Sequence, residues 1–107
     1  MAPAPVSVEE TITDRLVAAL APRQICLFGS QARGDADERS DFDIAVLTDA
    51  PASECLRLEM AGIRALWGVD ASIDLCVWSW TGFHAQTHLK ASFPATILRE
   101  GRKLYER

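Results

Sequence analysis

The stretch QICLFGSQARGDADERSDFDIAVL, residues 24–47, decides the fold, because a glycine, a serine and a polar loop separate two apolar segments. Gln24 to Phe28 is short and apolar, which favours a buried strand over a helix. Phe42 to Leu47 alternates with a period of two, so apolar side chains share one face, while Asp43, with Asp41 just before it, opens the other. The stretch predicts two strands joined by a polar loop.

Helical patterns lie on both sides of this stretch. Upstream, Ser7 and Glu10 form a capping box, and apolar residues at helical spacing continue until Pro22 ends the helix. Downstream, the residues after Pro51 predict a second helix that Gly68 ends. The apolar residues of this second helix step by four, three and four: Leu56, Met60, Ile63 and Trp67.

A third strand and a helical end complete the pattern. Residues 71–78, ASIDLCVW, predict a strand whose apolar face excludes one acid, Asp74. Residues 81–99 predict helix in pieces, broken before Pro94, and residues 103–105 predict a short edge strand. The order of helices and strands predicts an α/β (α+β) fold, a mixed sheet with helices on its apolar face.

The composition is that of one ordinary soluble globular domain. Of the 107 residues, 49% are apolar and 24% are charged. This predicts a single domain over residues 7–107, preceded by a loose arm of residues 1–6. The core of so short a chain is modest, so another protein or a second copy in a homo-oligomer could complete a substrate pocket.

The chain is acidic, which argues against two classes of partner. A formal charge of −4 gives no basic footprint for nucleic acid or for an anionic membrane. No apolar run has the length of a signal sequence or a membrane span. We therefore expect a cytoplasmic protein. Three cysteines in apolar surroundings, without metal-ligand spacing, are predicted to be buried packing residues: Cys26, Cys55 and Cys76.

Three acids are placed where they could converge. Asp41 and Asp43 stand at alternate positions of one strand, roughly 7 Å apart along the chain, and Asp74 on another strand could join them. Like charges at short range are unfavourable, and a bound divalent cation offsets their repulsion. Oxygen ligands favour magnesium or manganese over zinc. A D-x-D strand alone is more often a solvated face, so the metal hypothesis depends on the combination with Asp74 and with the Gly29-Ser30 turn.

Gly29 and Ser30 directly follow an apolar strand and have the outline of a phosphate cradle. Glycine lets the backbone approach an anion, amides at the start of the next turn present partial positive charge, and the serine hydroxyl donates a hydrogen bond. The dipeptide is a weak signal alone, but it stands twelve residues before the D-x-D strand. Arg33 either neutralises phosphate charge or pairs with a nearby acid.

Two other groups of side chains are predicted to be structural. Core and sheet-edge positions are predicted for the three tryptophans: Trp67, Trp78 and Trp80. Solvated loop charge is predicted for the acids before the second strand: Asp35, Asp37 and Glu38.

At these residues the chain resembles the nucleotidyltransferase superfamily of DNA polymerase beta. That signature is G-S, about ten residues, D-x-D, and a third acid on a later strand; here it is GSQARGDADERSDFDIAVL together with Asp74 in SIDLCV. The brevity, the A-R-G after the serine and the ending ILREGRKLYE look like the minimal nucleotidyltransferases of prokaryotes.

The resemblance implies a two-metal mechanism. Asp41 and Asp43 would bind two magnesium ions and the nucleotide phosphates, while Asp74 would bind the catalytic ion and help to activate the attacking hydroxyl. Ser30 and the amides after Gly29 would hold the beta and gamma phosphates. ATP would be the substrate.

The resemblance also implies a partner. Minimal relatives are often encoded beside a helical HEPN-type toxin and act as antitoxins that attach AMP to it, so the expected acceptor is a protein hydroxyl, a tyrosine of such a toxin. Two alternatives stay open: an antitoxin or scaffold that blocks its partner by contact alone, and a small-molecule nucleotidyltransferase that needs a second subunit. Polymerase or tRNA-tailing activity lacks the basic track that an oligonucleotide needs.

Overall fold

The computed structural model describes residues 7–34 and 40–107. The predicted arm of residues 1–6 and the predicted loop charges at Asp35, Asp37 and Glu38 lie outside the described residues. The elements follow the order α1 Val8–Leu20, β1 Gln24–Phe28, α2 Ser30–Arg33, β2 Phe42–Thr48, a 3-10 turn Ala52–Glu54, α3 Cys55–Ala65, β3 Ile73–Ser79, α4 Trp80–His84, α5 Phe93–Glu100 and β4 Arg102–Glu106.

The four strands form one mixed sheet in the order β3-β2-β1-β4. β1 runs antiparallel to β2 and to β4, whereas β2 and β3 run parallel. The parallel pair needs a crossover between its strands, and α3 supplies it. The predicted mixed sheet is confirmed, and the predicted edge strand near residues 103–105 is β4.

Local signals place the helix ends where the sequence predicted them. The Ser7 hydroxyl accepts a hydrogen bond from the Glu10 amide at 3.1 Å and begins α1. Ser92 begins α5 in the same way, with Pro94 in the first turn, where a missing amide costs nothing. Gly101 ends α5.

One face of the sheet carries the main core under α1 and α3. Ile12 and Leu16 of α1 are fully buried against Ile25 and Ile44 of the two central strands. α3 approaches this face closely because Gly62 has no side chain: a Cβ there would lie 2.6 Å from a Leu75 methyl. A buried cluster of this kind is the main source of stability in a domain of this size.

The opposite face is covered in part by the two short helices. Phe83 of α4 and Ile97 of α5 are buried against Cys26, Ala45 and Leu47. The longer helices α1 and α3 share one face, as predicted, and the shorter α4 and α5 add cover to the other. Both faces of the two central strands are apolar, because Ile25 and Val46 lie on one face and Cys26 and Leu47 on the other. The second face therefore also needs helices to cover it.

The predicted helix after Pro51 is α3, but its regular apolar residues face solvent. Exposure is 68% for Leu56, 52% for Met60, 54% for Ile63 and 85% for Trp67. The prediction that Trp67 is a core or sheet-edge aromatic is therefore wrong. The inward side of α3 is instead formed by Cys55, Leu58, Ala61 and Gly62, of which the first three pack against the core and Gly62 is buried.

Within the described ranges, no helix is both long enough and apolar enough to cross a membrane. The three cysteines are free thiols; Cys26 is buried, whereas Cys55 and Cys76 are half-buried.

Candidate active site

Two of the predicted acids lie side by side on the parallel strands. Asp43 of β2 is the register partner of Asp74 of β3, and neighbouring strands lie about 5 Å apart. Register partners project from the same face of a sheet, so both carboxylates are on the face that carries Cys76. Asp43 is half-buried and Asp74 is exposed. One carboxylate of the pair is therefore partly buried, and the other is open to solvent.

The electrostatics of Asp43 reflect this crowding. Burial raises the pKa of the Asp43 carboxyl above its ordinary value, and the nearby charges of Asp74 and Asp41 raise it further. Arg33 acts in the opposite direction and lowers the same pKa. A carboxylate that two like charges and partial burial disfavour gains from a cation beside it.

The backbone at Gly29 lies directly against the Asp43 side chain. Phe28, the last residue of β1, is the register partner of Asp43, and the chain turns directly after it. Gly29 has φ 72° and ψ −158°, a backbone region that only glycine adopts without strain. A Cβ at this position would overlap Oδ2 of Asp43. The glycine is thus required both by the turn and by the close approach of the carboxylate.

The short helix α2 links the glycine turn to the acid strand. Ser30 begins α2 directly after Gly29, and the Ala32 and Arg33 amides donate to the Gly29 carbonyl, each at 3.1 Å. The Gln31 side-chain amide donates to the Ser40 carbonyl at 3.2 Å, just ahead of β2. This arrangement ties α2 to the segment just ahead of β2, the strand that carries Asp43.

Of the two roles predicted for Arg33, the structure contains the ion pair. Arg33 Nη1 lies 3.4 Å from Glu100 Oε2, between two partly exposed side chains. The effect of Arg33 on the pKa of Asp43 places its charge near the acids as well. A role for Arg33 in binding nucleotide phosphate stays a prediction.

A pocket of about 350 Å³ opens beside the acid pair, and sequence reasoning missed its apolar walls. Asp43 and Asp74 line it together with Leu75 and Cys76 of β3. Phe28 and Phe93 form an aromatic wall, with ring centroids 5.3 Å apart in an edge-to-face arrangement. Only a weak indication of this wall is present in the sequence. Phe28 immediately precedes Gly29, but nothing in the sequence places Phe93 near that turn.

The donor set fits a hard divalent cation in chemistry. Asp43 and Asp74 offer adjacent oxygen ligands, and burial together with the like charges of Asp74 and Asp41 raises the pKa of Asp43, so a cation there would favour its carboxylate. Asp41 is exposed just before β2, near enough to act on Asp43. Among residues 7–34 and 40–107, no three acidic, histidine or cysteine side chains are already gathered into a metal-binding group. The convergence of all three acids stays a prediction.

Solved structures with the same fold include three toxin–antitoxin complexes. One, described as a toxin-antitoxin with AMP-PNP, has a TM-score of 0.61 and 23% identity, covering 92% of this chain and 73% of its own. A mutant of the toxin-antitoxin MntA-HpeT has a TM-score of 0.59 and 20% identity, with coverage of 92% and 73%. The tri-AMPylated Shewanella oneidensis HEPN toxin in complex with its MNT antitoxin has a TM-score of 0.54 and 20% identity, with coverage of 94% and 71%. At these identities the likeness shows the fold alone.

Sequence comparison gives the family. No curated protein is significantly similar in sequence to the chain. Residues 10–107, which include Gly29, Ser30 and all three candidate acids, match the family described as "Polymerase beta, Nucleotidyltransferase". With the match extending over nearly the whole sequence, the chain belongs to the polymerase beta nucleotidyltransferase family.

Proposed function

We propose that the chain transfers AMP from ATP to a hydroxyl group of a partner protein, with magnesium, and acts as the antitoxin of a HEPN-type toxin. The observation that carries the chemistry is the register pairing of Asp43 with Asp74 beside the Gly29 turn. The acid pair and the candidate phosphate-binding turn thus lie together in a chain that belongs to a nucleotidyltransferase family.

The acids would hold the metal. Asp41 and Asp43 would bind two magnesium ions, with Asp74 as a further ligand to one of them. Bound magnesium supplies charge that stabilises the entering and leaving oxygens of an in-line displacement. Asp74 is exposed beside Asp43, where it can take the proton of an incoming hydroxyl.

The glycine turn would hold the leaving group. The Ser30 hydroxyl and the amides after Gly29 would donate hydrogen bonds to the beta and gamma phosphates. The acceptor oxygen forms a bond to the alpha phosphorus, the bond from that phosphorus to the bridging oxygen breaks, and pyrophosphate leaves. Arg33, whose charge lies near Asp43, would offset part of the phosphate charge.

The partner is proposed from the structural neighbours. One neighbour is a toxin-antitoxin with AMP-PNP, and another contains a tri-AMPylated HEPN toxin with its MNT antitoxin. These descriptions support ATP as the nucleotide and a HEPN toxin as the acceptor. We propose a tyrosine hydroxyl of that toxin as the group that receives AMP. The reaction consumes ATP, and we place it in the cytoplasm.

The test uses alpha-labelled ATP, magnesium and the protein encoded beside this one. We expect label on the neighbour, with release of pyrophosphate, and loss of at least about 99% of the transfer rate in Asp43→Ala. Asp14→Ala, which removes an exposed acid of α1, is the matched control and should keep the activity.

Two outcomes would replace the proposal. Inhibition of the neighbour that survives Asp41→Ala and Asp43→Ala unchanged, without label transfer, would make the chain a binding antitoxin. Label on a small molecule, and none on protein, would make it a small-molecule nucleotidyltransferase.

A further inference from the structure

Four large apolar side chains of α3 and its C-terminal end form a continuous exposed row, which we call the α3 seam: Leu56, Met60, Ile63 and Trp67. Every one of them is more than half exposed. Their spacing of four, three and four is that of the a and d positions of a heptad, the pattern that packs one helix against another. Isolated exposed apolar residues need no explanation, but a row of four along one helix and the turn that follows it marks an interaction surface.

Concave surfaces flank the seam at both ends. A hollow of about 380 Å³ lies between Leu56, Met60 and two arginines of α3. A second hollow of about 480 Å³ lies beside Ile63 and Trp67, with Leu75 of β3 in its wall. Side chains of an approaching helix need such holes if they are to interlock with the seam.

The seam is held by the fold. Arg15 of α1 donates from Nη1 to the Trp67 carbonyl at 2.8 Å and to the Ala65 carbonyl at 3.3 Å, which fixes the C-terminal end of α3. Gly62 lets α3 pack closely on the sheet at the same level. Trp67 therefore projects from a fixed backbone, which lowers the entropy that a partner would have to overcome.

The neighbouring sheet edge is blocked at one amide. β3 is an edge strand of the sheet, and an edge can recruit a further strand. Glu59 Oε1 accepts from the Val77 amide at 3.2 Å and occupies that position of the edge. Strand addition would have to displace this contact, so the surface favours an occupant that packs on the helix.

The charges beside the seam are basic, in a chain whose net charge is −4. Arg57 pairs with Glu54 at 2.7 Å, and Arg64 has no ion-pair partner among the residues that the structure describes. Glu59 turns inward to β3 and does not balance them. In a twofold antiparallel pair of copies, Arg57 of one copy would approach Arg64 of the other, which like charges disfavour. An acidic partner removes that repulsion.

We propose that the α3 seam is the docking site for an amphipathic helix of another protein, with apolar residues at three-and-four spacing and acidic residues beside them. The seam lies on the sheet face opposite to Asp43 and Asp74, since α3 packs on the face that carries Leu75. The inference does not depend on the transferase reaction and leaves the nucleotide site open while the partner is bound.

The test uses two labelled helical peptides of about 15 residues, identical in their leucine spacing, with either glutamate or lysine beside the leucines. Fluorescence anisotropy at low salt should show the glutamate peptide binding about tenfold tighter than the lysine peptide. Arg64→Glu should reverse much of that preference. Met60→Asp should weaken binding at least tenfold, whereas Leu98→Asp, at an equally exposed apolar position of α5, should leave it unchanged.

The remaining measurements separate this surface from the nucleotide site and from self-association. Circular dichroism checks that Met60→Asp keeps the fold, and the Asp43→Asn chain should bind the glutamate peptide as the unaltered chain does. Equal binding of both peptides, or no binding of either, would overturn the proposal. A dimer seen by analytical ultracentrifugation that Met60→Asp dissociates would assign the seam to a second copy and would also overturn it.

Discussion

Asp43 and Asp74 are register partners on the parallel strands β2 and β3, and the turn at Gly29 lies against Asp43. Two carboxylates on adjacent strands are unfavourable in the absence of a cation. The acid pair therefore destabilises the metal-free fold and at the same time provides ligands for a divalent ion.

Asp43→Asn should raise the stability of the metal-free chain near neutral pH. Since the pKa of Asp43 is raised in the fold, the folded state holds this proton more tightly than the unfolded state. The cost of ionising Asp43 is absent below the ordinary pKa of 3.8 and appears as pH rises through the raised value. The variant should melt a few degrees higher at about pH 7, and the difference should vanish on acidification.

Thermal unfolding in EDTA measures this effect. Asp14→Asn removes the same charge from an exposed site on α1 and should not reproduce it. A less stable Asp43→Asn chain at neutral pH would contradict the repulsion that the acid pair implies.

Magnesium should stabilise the unaltered chain and should not stabilise chains that lack the acid pair. A ligand that binds only the folded state raises the melting temperature in proportion to the logarithm of its concentration. Asp43→Asn and Asp74→Asn should each remove most of the rise that magnesium produces, whereas Asp14→Asn should keep it. An equal rise in a chain with both substitutions would place the ion elsewhere.

Gly29→Ala should cost more stability than Gly68→Ala. Both glycines have positive φ, 72° and 87°, but a Cβ at Gly68 meets open space, whereas one at Gly29 overlaps the Asp43 carboxylate. Backbone strain alone costs about 1–2 kcal/mol, and the overlap adds roughly 1–3 kcal/mol. Urea unfolding compares the two variants.

Binding of Mg-ATP gives a second comparison for the same glycines. Calorimetry should show that Gly29→Ala loses at least about tenfold in affinity, since the candidate phosphate turn must shift away from Asp43. Gly68→Ala, on the C-terminal side of α3, should keep the affinity. Equal loss in both variants would assign the effect to general destabilisation.

Phe93→Ala should weaken binding of the nucleotide. Phe93 is 45% exposed and lines the pocket beside Asp43 and Asp74, where we expect a base to stack on its ring. Stacking of a base on an aromatic side chain is worth about 1–3 kcal/mol, so the KM for ATP should rise roughly tenfold with little change in kcat. Leu98→Ala, on the same helix, is the control. A rise confined to the KM of the acceptor would place the acceptor side chain in this pocket.

Cys76 should resist alkylation while the chain is folded. Burial raises the pKa of the Cys76 thiol from 9.0 to about 11, and Sγ lies 3.6 Å from the Ile44 carbonyl. The thiolate fraction near neutral pH falls about a hundredfold, and the rate of alkylation falls with it. Mass spectrometry after iodoacetamide treatment should find Cys76 unmodified in the folded chain and modified in urea. Rapid modification under folding conditions would contradict this burial.

The sequence by itself determined the strands, most helix ends and which face of β2 carries Asp43. Alternation of period two sets Asp43 apart from Ile44 and Val46 whatever the strand packs against, because side chains of a strand alternate between faces. The glycine at position 29 followed from its place after an apolar strand, and the structure adds the reason, a backbone conformation and a clearance that only glycine allows.

Only the tertiary structure decided which residues meet. From the sequence, Asp74 could lie beside Asp43 or several residues away along the strand. The register of the parallel strands β2 and β3 places it beside Asp43. Pairing of Arg33 with Glu100 and the wall of Phe28 and Phe93 likewise join segments far apart in sequence.

The α3 seam is where the local pattern misled. Helical periodicity shows that apolar side chains share a face, but it cannot tell which other element, if any, covers that face. Gly62 permits a close approach of α3 to the sheet, and the side of α3 that carries Leu58 and Ala61 packs on the core. The four residues of the α3 seam, including Trp67 just after the helix, face outward. The orientation of α3 depends on how closely the helix can pack on the sheet, and this distance cannot be read from the sequence of the helix alone.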